Sequence, residues 1–246
     1  MSTLDVQGLS RNFGGVHALS DVSFTVGPGE RRLIIGPNGA GKTTLFNMLS
    51  GAFPVSDGSI MMFGHDITRL PAYARARLGL ARTFQITNLF PRLSVLDNVL
   101  LALQAADAQA FSLYRPRRAA GHLFLRAESL LDEWGLAAIA TRPAMEISYG
   151  EQRQIDILLA MAVQPRVLLL DEPTAGLSAA EVVRVVGMVR SLPREMTILM
   201  IEHDMDIAFD LADRITVLHQ GRVIAEGGSE EIRGDPRVSE IYLGAE

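Results

Sequence analysis

The chain has 246 residues, is 48% hydrophobic, contains no cysteine and carries a formal net charge of −5. The apolar fraction is ample for a core, the charge argues against a general nucleic-acid-binding surface, and the lack of cysteine excludes disulfides and cysteine metal sites. Met1 to Asp5 has no basic start leading into an apolar stretch, and apolar runs such as Ile157 to Val163 are far too short to span a bilayer, so neither a secretory signal nor a membrane span is expected.

The first thirty residues read as β-rich. Val22, Phe24 and Val26 alternate, and Gly27-Pro28-Gly29 makes a turn. Phe13, before Gly14-Gly15, reads as a core or edge aromatic. Leu33, Ile34 and Ile35 then read as the end of a buried strand. The run Gly36, Pro37, Asn38, Gly39, Ala40, Gly41, Lys42, Thr43 fits G-x-x-x-x-G-K-[ST], the phosphate-binding loop, and Thr44 to Ser50 reads as the helix after it, with Gly51 at the C-cap. Glycines let such a loop turn its N–H groups inward, and the helix adds the positive end of its dipole. Lys42 supplies a positive charge for the β- and γ-phosphates, and Thr43 a hydroxyl for Mg²⁺.

Asp57-Gly58 marks a turn, Ser59 to Phe63 a short strand and Pro71 to Leu80 a helix. From about Ala81 to Ala162 the texture turns helical. Ser94 and Asp97 form a helix-start pattern, and Val95, Leu96, Val99, Leu100 and Leu103 give an apolar face. Arg115, Arg117 and Arg118 cluster around Pro116 and read as a solvated loop, with lipid headgroups or a partner as the alternative. Leu123 to Trp134 is predicted helical, ended by Gly135. Ser148-Tyr149-Gly150-Glu151 fits a capping box opening a helix to about Val163. That explains Ser148 and Glu151 structurally; the functional alternative is an anion site at this helix N-terminus, with the small Gly150 leaving room for a phosphate.

Val167 to Leu170 reads as a central parallel strand buried on both faces. It ends in Asp171-Glu172-Pro173, and two adjacent carboxylates there are hard to explain structurally, because burying charge is costly unless it is paired. Beside a phosphate loop, they suit Mg²⁺ and water activation. Ser178 and Glu181 make another helix start. Thr197 to Ile201 is a further strand that delivers Glu202-His203-Asp204 to the same edge. Ile215 to Leu218 and Val223 to Ala225 read as a hairpin through Gln220-Gly221, and the tail from Ser229 as mostly helical. No internal repeat or low-complexity linker divides the chain.

The ordered set GPNGAGKTT (36–44), TFQ (83–85), SYGEQ (148–152), LLLDEP (168–173) and His203 resembles the ATP-binding-cassette ATPases over nearly the full length. The resemblance implies a single nucleotide-binding domain over 1–246. Its fold class is α/β, a P-loop cassette with an N-terminal antiparallel β subdomain and a helical subdomain inserted at about 84–163. It implies that Phe13 stacks on adenine and that Lys42 and the 36–44 backbone cradle the phosphates of ATP. By the same resemblance Thr43 and Asp171 would be Mg²⁺ ligands, directly or through water, and Gln85 the sensor joining the γ-phosphate and Mg²⁺ to the helical subdomain. Glu172 orients or deprotonates the attacking water, and His203 is the γ-phosphate switch. Ser148 and Gly150 reach the nucleotide of a facing subunit, since two such cassettes sandwich two ATPs. Three features depart from the family pattern. Ile147, Tyr149 and Glu151 replace three of the five residues of LSGGQ, Ser178 stands where Asp is usual, and the stacking aromatic is Phe rather than Tyr.

Within the family, several stretches are similar to the ATPase subunits of branched-chain amino acid importers. They are Phe13-Gly14-Gly15 with Ala18-Leu19, ARTFQITNLFPRLSVLDNV (81–99), the long segment between Val99 and Leu130, and Ile241-Tyr242-Leu243-Gly244. This implies a motor on the cytoplasmic face of the cell membrane. Its partners would be two permeases contacted around Ile86 to Asn98, a second cassette ATPase, either a sister subunit or a second copy of this chain, and, indirectly, a periplasmic binding protein. Lipopolysaccharide-export ATPases resemble the chain at 71–85 and 92–98 and form the alternative. A cassette acting on nucleic acid or ribosomes fits less well, since the chain has neither extended heptads nor basic tracts.

Overall fold

The computed structural model describes residues 2–83, 89–106 and 121–243. Gln85, Ile86 and the cluster at Arg115, Arg117 and Arg118 lie outside the described residues. In chain order come β1 (Leu4–Phe13), β2 (Val16–Val26), β3 (Arg31–Ile35), α1 (Lys42–Ser50), β4 (Asp57–Met62), β5 (His65–Asp66), α2 (Ala72–Arg77) and β6 (Leu80–Arg82). Next are α3 (Val95–Ala106), α4 (Gly121–Glu133), two short 3-10 turns (Ala137–Ile139 and Ala144–Glu146) and α5 (Tyr149–Ala162). The remainder is β7 (Val167–Asp171), α6 (Ala179–Ser191), β8 (Thr197–Ile201), α7 (Met205–Leu211), β9 (Arg214–His219), β10 (Arg222–Gly227), α8 (Ser229–Arg233) and α9 (Pro236–Leu243).

The chain divides into two compact units, one of Met1–Arg82, Arg166–Ala175 and Leu192–Glu246, the other of Thr83–Pro165 and Gly176–Ser191. The first holds an antiparallel sheet, β2-β1-β4-β5, and a larger sheet in the order β10-β9-β3-β8-β7-β6. In the larger sheet β9, β3, β8, β7 and β6 run parallel and only β10 is antiparallel. Every residue of β3, β7 and β8 is buried, as expected of parallel strands covered on both faces. Gln220 and Gly221 have φ of 46° and 75°, the pair of positive values that closes a two-residue hairpin.

Helix α1 buries Leu45, Phe46, Met48 and Leu49 in a cluster that draws side chains from both sheets. Each is worth about 1.5–3 kcal/mol on burial, so the helix behind the phosphate loop is firmly seated. Its C-terminus is held by Arg75, 1% exposed, which donates to Met48 O at 2.6 Å and Leu49 O at 2.7 Å. The carbonyl end of a helix favours a cation, although burial still pulls the Arg75 guanidinium down to about 10.

The segment read from sequence as one helix over Pro71 to Leu80 is shorter. Helix α2 ends at Arg77, Gly79 turns the chain at φ 97°, and Leu80–Arg82 becomes a strand paired with Val167–Leu169. The second unit packs α3 against α4 and α5, and α5 against α6. Its core includes Val95, Val99, Leu130, Ile155 and Leu158, so the apolar stripe predicted from Val95 onward is core.

Candidate functional site

The loop from Gly36 to Gly41 leaves the end of β3 and enters α1. Gly36 has φ 151°, and a Cβ there would lie 2.1 Å from Leu218 O, so the loop is pressed flush against β9. Gly41 caps α1 with φ 103° and no side-chain cap, and a Cβ there would lie 2.6 Å from Ala18 O. Only glycine meets both demands. The first-turn N–H groups of α1 have no acceptor within the helix, so they and the helix dipole face the loop. Asn38, Gly39 and Thr43 are exposed, and Ala40 is buried.

Lys42 is only 6% exposed. Its Nζ donates to Gly36 O at 2.6 Å and Pro37 O at 3.1 Å. Burial lowers its pKa, and the carboxylates of Glu172 and Asp171 oppose that shift. The ammonium is therefore held inside the loop by neutral carbonyls, with two carboxylates near enough to feel its charge.

Asp171, at the C-terminal end of β7, is 2% exposed. Its Oδ2 accepts from Arg82 Nη2 at 2.9 Å. Arg82 Nη1 also donates to Asn47 Oδ1 at 2.7 Å and Ser50 Oγ at 2.9 Å, so this guanidinium ties β7 to α1. Glu172 follows with φ 47°, a left-handed conformation that costs a non-glycine residue about 1–2 kcal/mol. Its N–H donates to Ile201 O at 3.0 Å, and its Oε1 lies 2.8 Å from His203 Nε2. The strained backbone is thus latched to β8 on one side and to an imidazole on the other, and strain of this kind gathers at functional sites.

Phe13 is 40% exposed. Its ring meets Phe53 edge-on at 5.5 Å between centroids, and the Arg11 guanidinium sits 4.5 Å over its centroid. A base stacking on Phe13 would share the ring with that cation.

In the second unit, Ser148 Oγ accepts from Glu151 N at 3.2 Å, and Ser148 N donates to Glu151 Oε2 at 2.7 Å. The capping box expected from sequence is therefore formed. Gly150 N donates to Glu181 Oε1 at 3.2 Å, so a carboxylate already rests on this helix N-terminus. Ser178 N and Oγ both donate to Glu181 Oε2, at 3.0 and 2.7 Å. These bonds, Ser178's first and then Gly150's, hold the Glu181 carboxyl below its ordinary value.

Lys42, Asp171, Glu172 and His203 are thus linked by contact or charge in the first unit, while Ser148 and Gly150 belong to the second. Sequence reasoning missed Arg82 and Glu181 as site neighbours and gave Glu202 no task. The signal for Glu202 was present, since it ends an apolar strand just as Asp171 does. Among the described residues, no group of three or more His, Asp or Glu side chains is arranged to hold a metal.

The ABC transporter family matches residues 19–175, and the Branched-chain amino acid ATP-binding cassette transporter family matches residues 222–246. The chain is 40% identical to the high-affinity branched-chain amino acid transport ATP-binding protein LivG of Escherichia coli, covering 98% of this chain and 97% of that one. It is 38% identical to BraF of Pseudomonas aeruginosa, which carries the same description, with the same coverage. Among solved structures, the ADP conformation of MJ1267, an ATP-binding cassette of an ABC transporter, superposes with a TM-score of 0.86 at 30% identity over 99% of both chains. A nucleotide-free ATP-binding cassette from an ABC transporter also reaches 0.86, at 31% identity over 98% of this chain and 99% of that one.

Proposed function

The chain belongs to the ABC transporter family of ATP-binding proteins, and from that membership we infer that it is the ATP-hydrolysing subunit of an importer for branched-chain or related amino acids or small polar solutes. The match of residues 222–246 supports the subgroup, as do relatives named for branched-chain amino acid transport. Lipopolysaccharide export finds no support among them. The family's nucleotide is ATP or its product ADP. We read 1–246 as one cassette, with the segment at about 84–163 as its helical insert.

The observation that carries the chemistry is Glu172, held in a left-handed conformation beside Asp171 and within hydrogen-bond distance of His203. The amides of 36–44 and the Lys42 ammonium bind the phosphates of ATP. Lys42 needs only to exchange the carbonyls of Gly36 and Pro37 for phosphate oxygens. Phe13 stacks on the adenine. Glu172 accepts a proton from the attacking water or orients it, and His203 steadies that carboxylate and senses the γ-phosphate. Phosphoryl transfer is mostly positioning and charge stabilisation, which is what these residues supply.

The residues also fit Mg²⁺. This cation is content with one or two protein oxygens plus substrate phosphates and water; the Thr43 hydroxyl and the Asp171 carboxylate would provide that set, and Gln85 would add a further ligand. Mg²⁺ neutralises phosphate charge when bound. Ser148 and Gly150 complete the nucleotide site of a facing cassette. Among the described residues no helix is long and apolar enough to cross a membrane. As an importer's ATP-binding subunit, like the relatives named for branched-chain amino acid transport, the chain works on the cytoplasmic face of the cell membrane. There it is held by permeases docked around Ile86 to Asn98 and served by a periplasmic solute-binding protein.

Two measurements test this reading. Glu172→Gln is expected to cut ATP turnover by about 10²–10⁴-fold, the worth of a general base, while leaving ATP binding intact. Turnover at the wild-type rate would remove Glu172 from the chemistry. Purification from native membranes in mild detergent is expected to bring down two hydrophobic permeases and a cassette partner. Recovery with ribosomes or DNA and no membrane protein would sink the transport role.

A further inference from the structure

Glu202 ends the apolar run of β8 and is 3% exposed. A carboxylate so deeply placed is costly unless its oxygens are fully bonded, and here the bonds go to two different loops of the site. Oε1 accepts from Thr174 N at 3.0 Å and from Thr174 Oγ1 at 2.8 Å. Oε2 accepts from His203 N at 3.2 Å. Thr174 lies two residues after Glu172, and the His203 side chain returns to Glu172 at 2.8 Å. Closed by the chain itself between Glu172 and Thr174, these bonds make a ring running Glu172, Thr174, Glu202, His203 and back to Glu172. Burial raises the Glu202 pKa, the Thr174 and His203 bonds oppose the shift, and the Glu172 charge adds to it. An unstrained core would gain by an apolar residue here. A left-handed Glu172 instead needs its following chain pinned, and the bonds to Thr174 do that.

We propose that Glu202 is a positioning residue that locks the Glu172–Thr174 loop and the His203 turn in one register, so that the water-activating carboxylate and its imidazole partner move as a unit. This rests on the reading of Glu172 as the catalytic carboxylate. Both Glu202 oxygens are taken up by Thr174 and His203, and it acts through these two neighbours.

Glu202→Gln tests it with almost no change in shape. The amide oxygen can still accept from Thr174, but the amide NH₂ then faces the His203 N–H, donor against donor. The expected result is a fall in kcat of about 10–100-fold, by analogy with the loss of partners that orient metal ligands, with KM and ATP affinity within about twofold of wild type, as for any group that acts only beyond the ground-state contacts. In a His203→Ala background the same substitution should cost little more, because residues acting as a unit are not additive. Thr174→Ser should rescue what Thr174→Val loses, since only serine keeps the hydroxyl. If Glu202→Gln does not fold, the Thr174 pair carries the same comparison.

Wild-type kcat in Glu202→Gln or in Thr174→Val would overturn the proposal. So would a loss that multiplies in full with that of His203→Ala. Wild-type turnover in Glu172→Gln would instead overturn the catalytic reading, an outcome scored separately from Glu202→Gln.

Discussion

At the scale of single residues, the site is made of charges placed where only a partner makes them tolerable. Asp171 is 2% exposed and Arg82 bonds it at 2.9 Å. Removing one member of such a buried pair typically costs about 3–5 kcal/mol, because the other charge is left behind. Arg82→Met is therefore expected to lower the unfolding free energy by about that much in urea titration without nucleotide. Adding Asp171→Asn should restore a good part of it, with a coupling of at least about 1 kcal/mol. Additive losses would show that Arg82 stabilises through its contacts other than Asp171, among them Asn47 and Ser50. Lys42, Asp171, Glu172 and His203 were legible in the sequence because each sits at a strand end or loop whose local pattern announces it. Arg82 was not, because its carboxylate partner is 89 residues away and nothing local marks the pairing; Glu202 carries the strand-end signal, but its bond to Thr174, 28 residues away, has no local mark.

At the scale of elements, strands and helices with strong periodicity read correctly. A miss came at Gly79, where the tripeptide Leu80-Ala81-Arg82 after a helix has no period of its own and becomes a strand only because β7 offers it an edge. Helix α5 poses a sharper question, since its capping box explains Ser148 and Glu151 without any ligand. Gly150→Ala separates the two readings. A Cβ there would lie 2.3 Å from Glu181 Oε1, so Glu181 must swing off the Gly150 amide. Its Cγ and Cδ would also be met at 2.5 Å, so the swing strains the Ser178 bonds to Glu181. Alanine offsets that by at most roughly 1 kcal/mol of helix propensity, and melting temperature should fall by a few degrees at most. If the helix end seats a phosphate, ATP turnover should nonetheless fall at least tenfold, because the new methyl and the displaced carboxylate crowd the N-terminus. Unchanged turnover with unchanged stability would leave the capping box as the whole account of SYGEQ.

At the scale of the whole molecule, the phosphate loop belongs to one compact unit and the Ser148 helix end to the other. In the proposed sandwich these are brought together by two chains rather than one. The nucleotide then acts as a ligand of the paired state, and at a hundredfold its Kd such a ligand contributes about 2.7 kcal/mol to the state it binds. Hydrolysis drains that contribution in the wild type, and Glu172→Gln should preserve it. Light scattering of Glu172→Gln with Mg²⁺ and saturating ATP is expected to show twice the monomer mass, either alone or on mixing with a sister cassette, and the monomer mass with ADP. Adding Gly150→Ala should weaken the pair, since it removes the seat that the second chain offers to the phosphate. A monomer under every one of these conditions would mean that the helix end at Ser148 serves its own chain. The capping box, not a facing nucleotide, would then be the reason for serine and glutamate at that spacing.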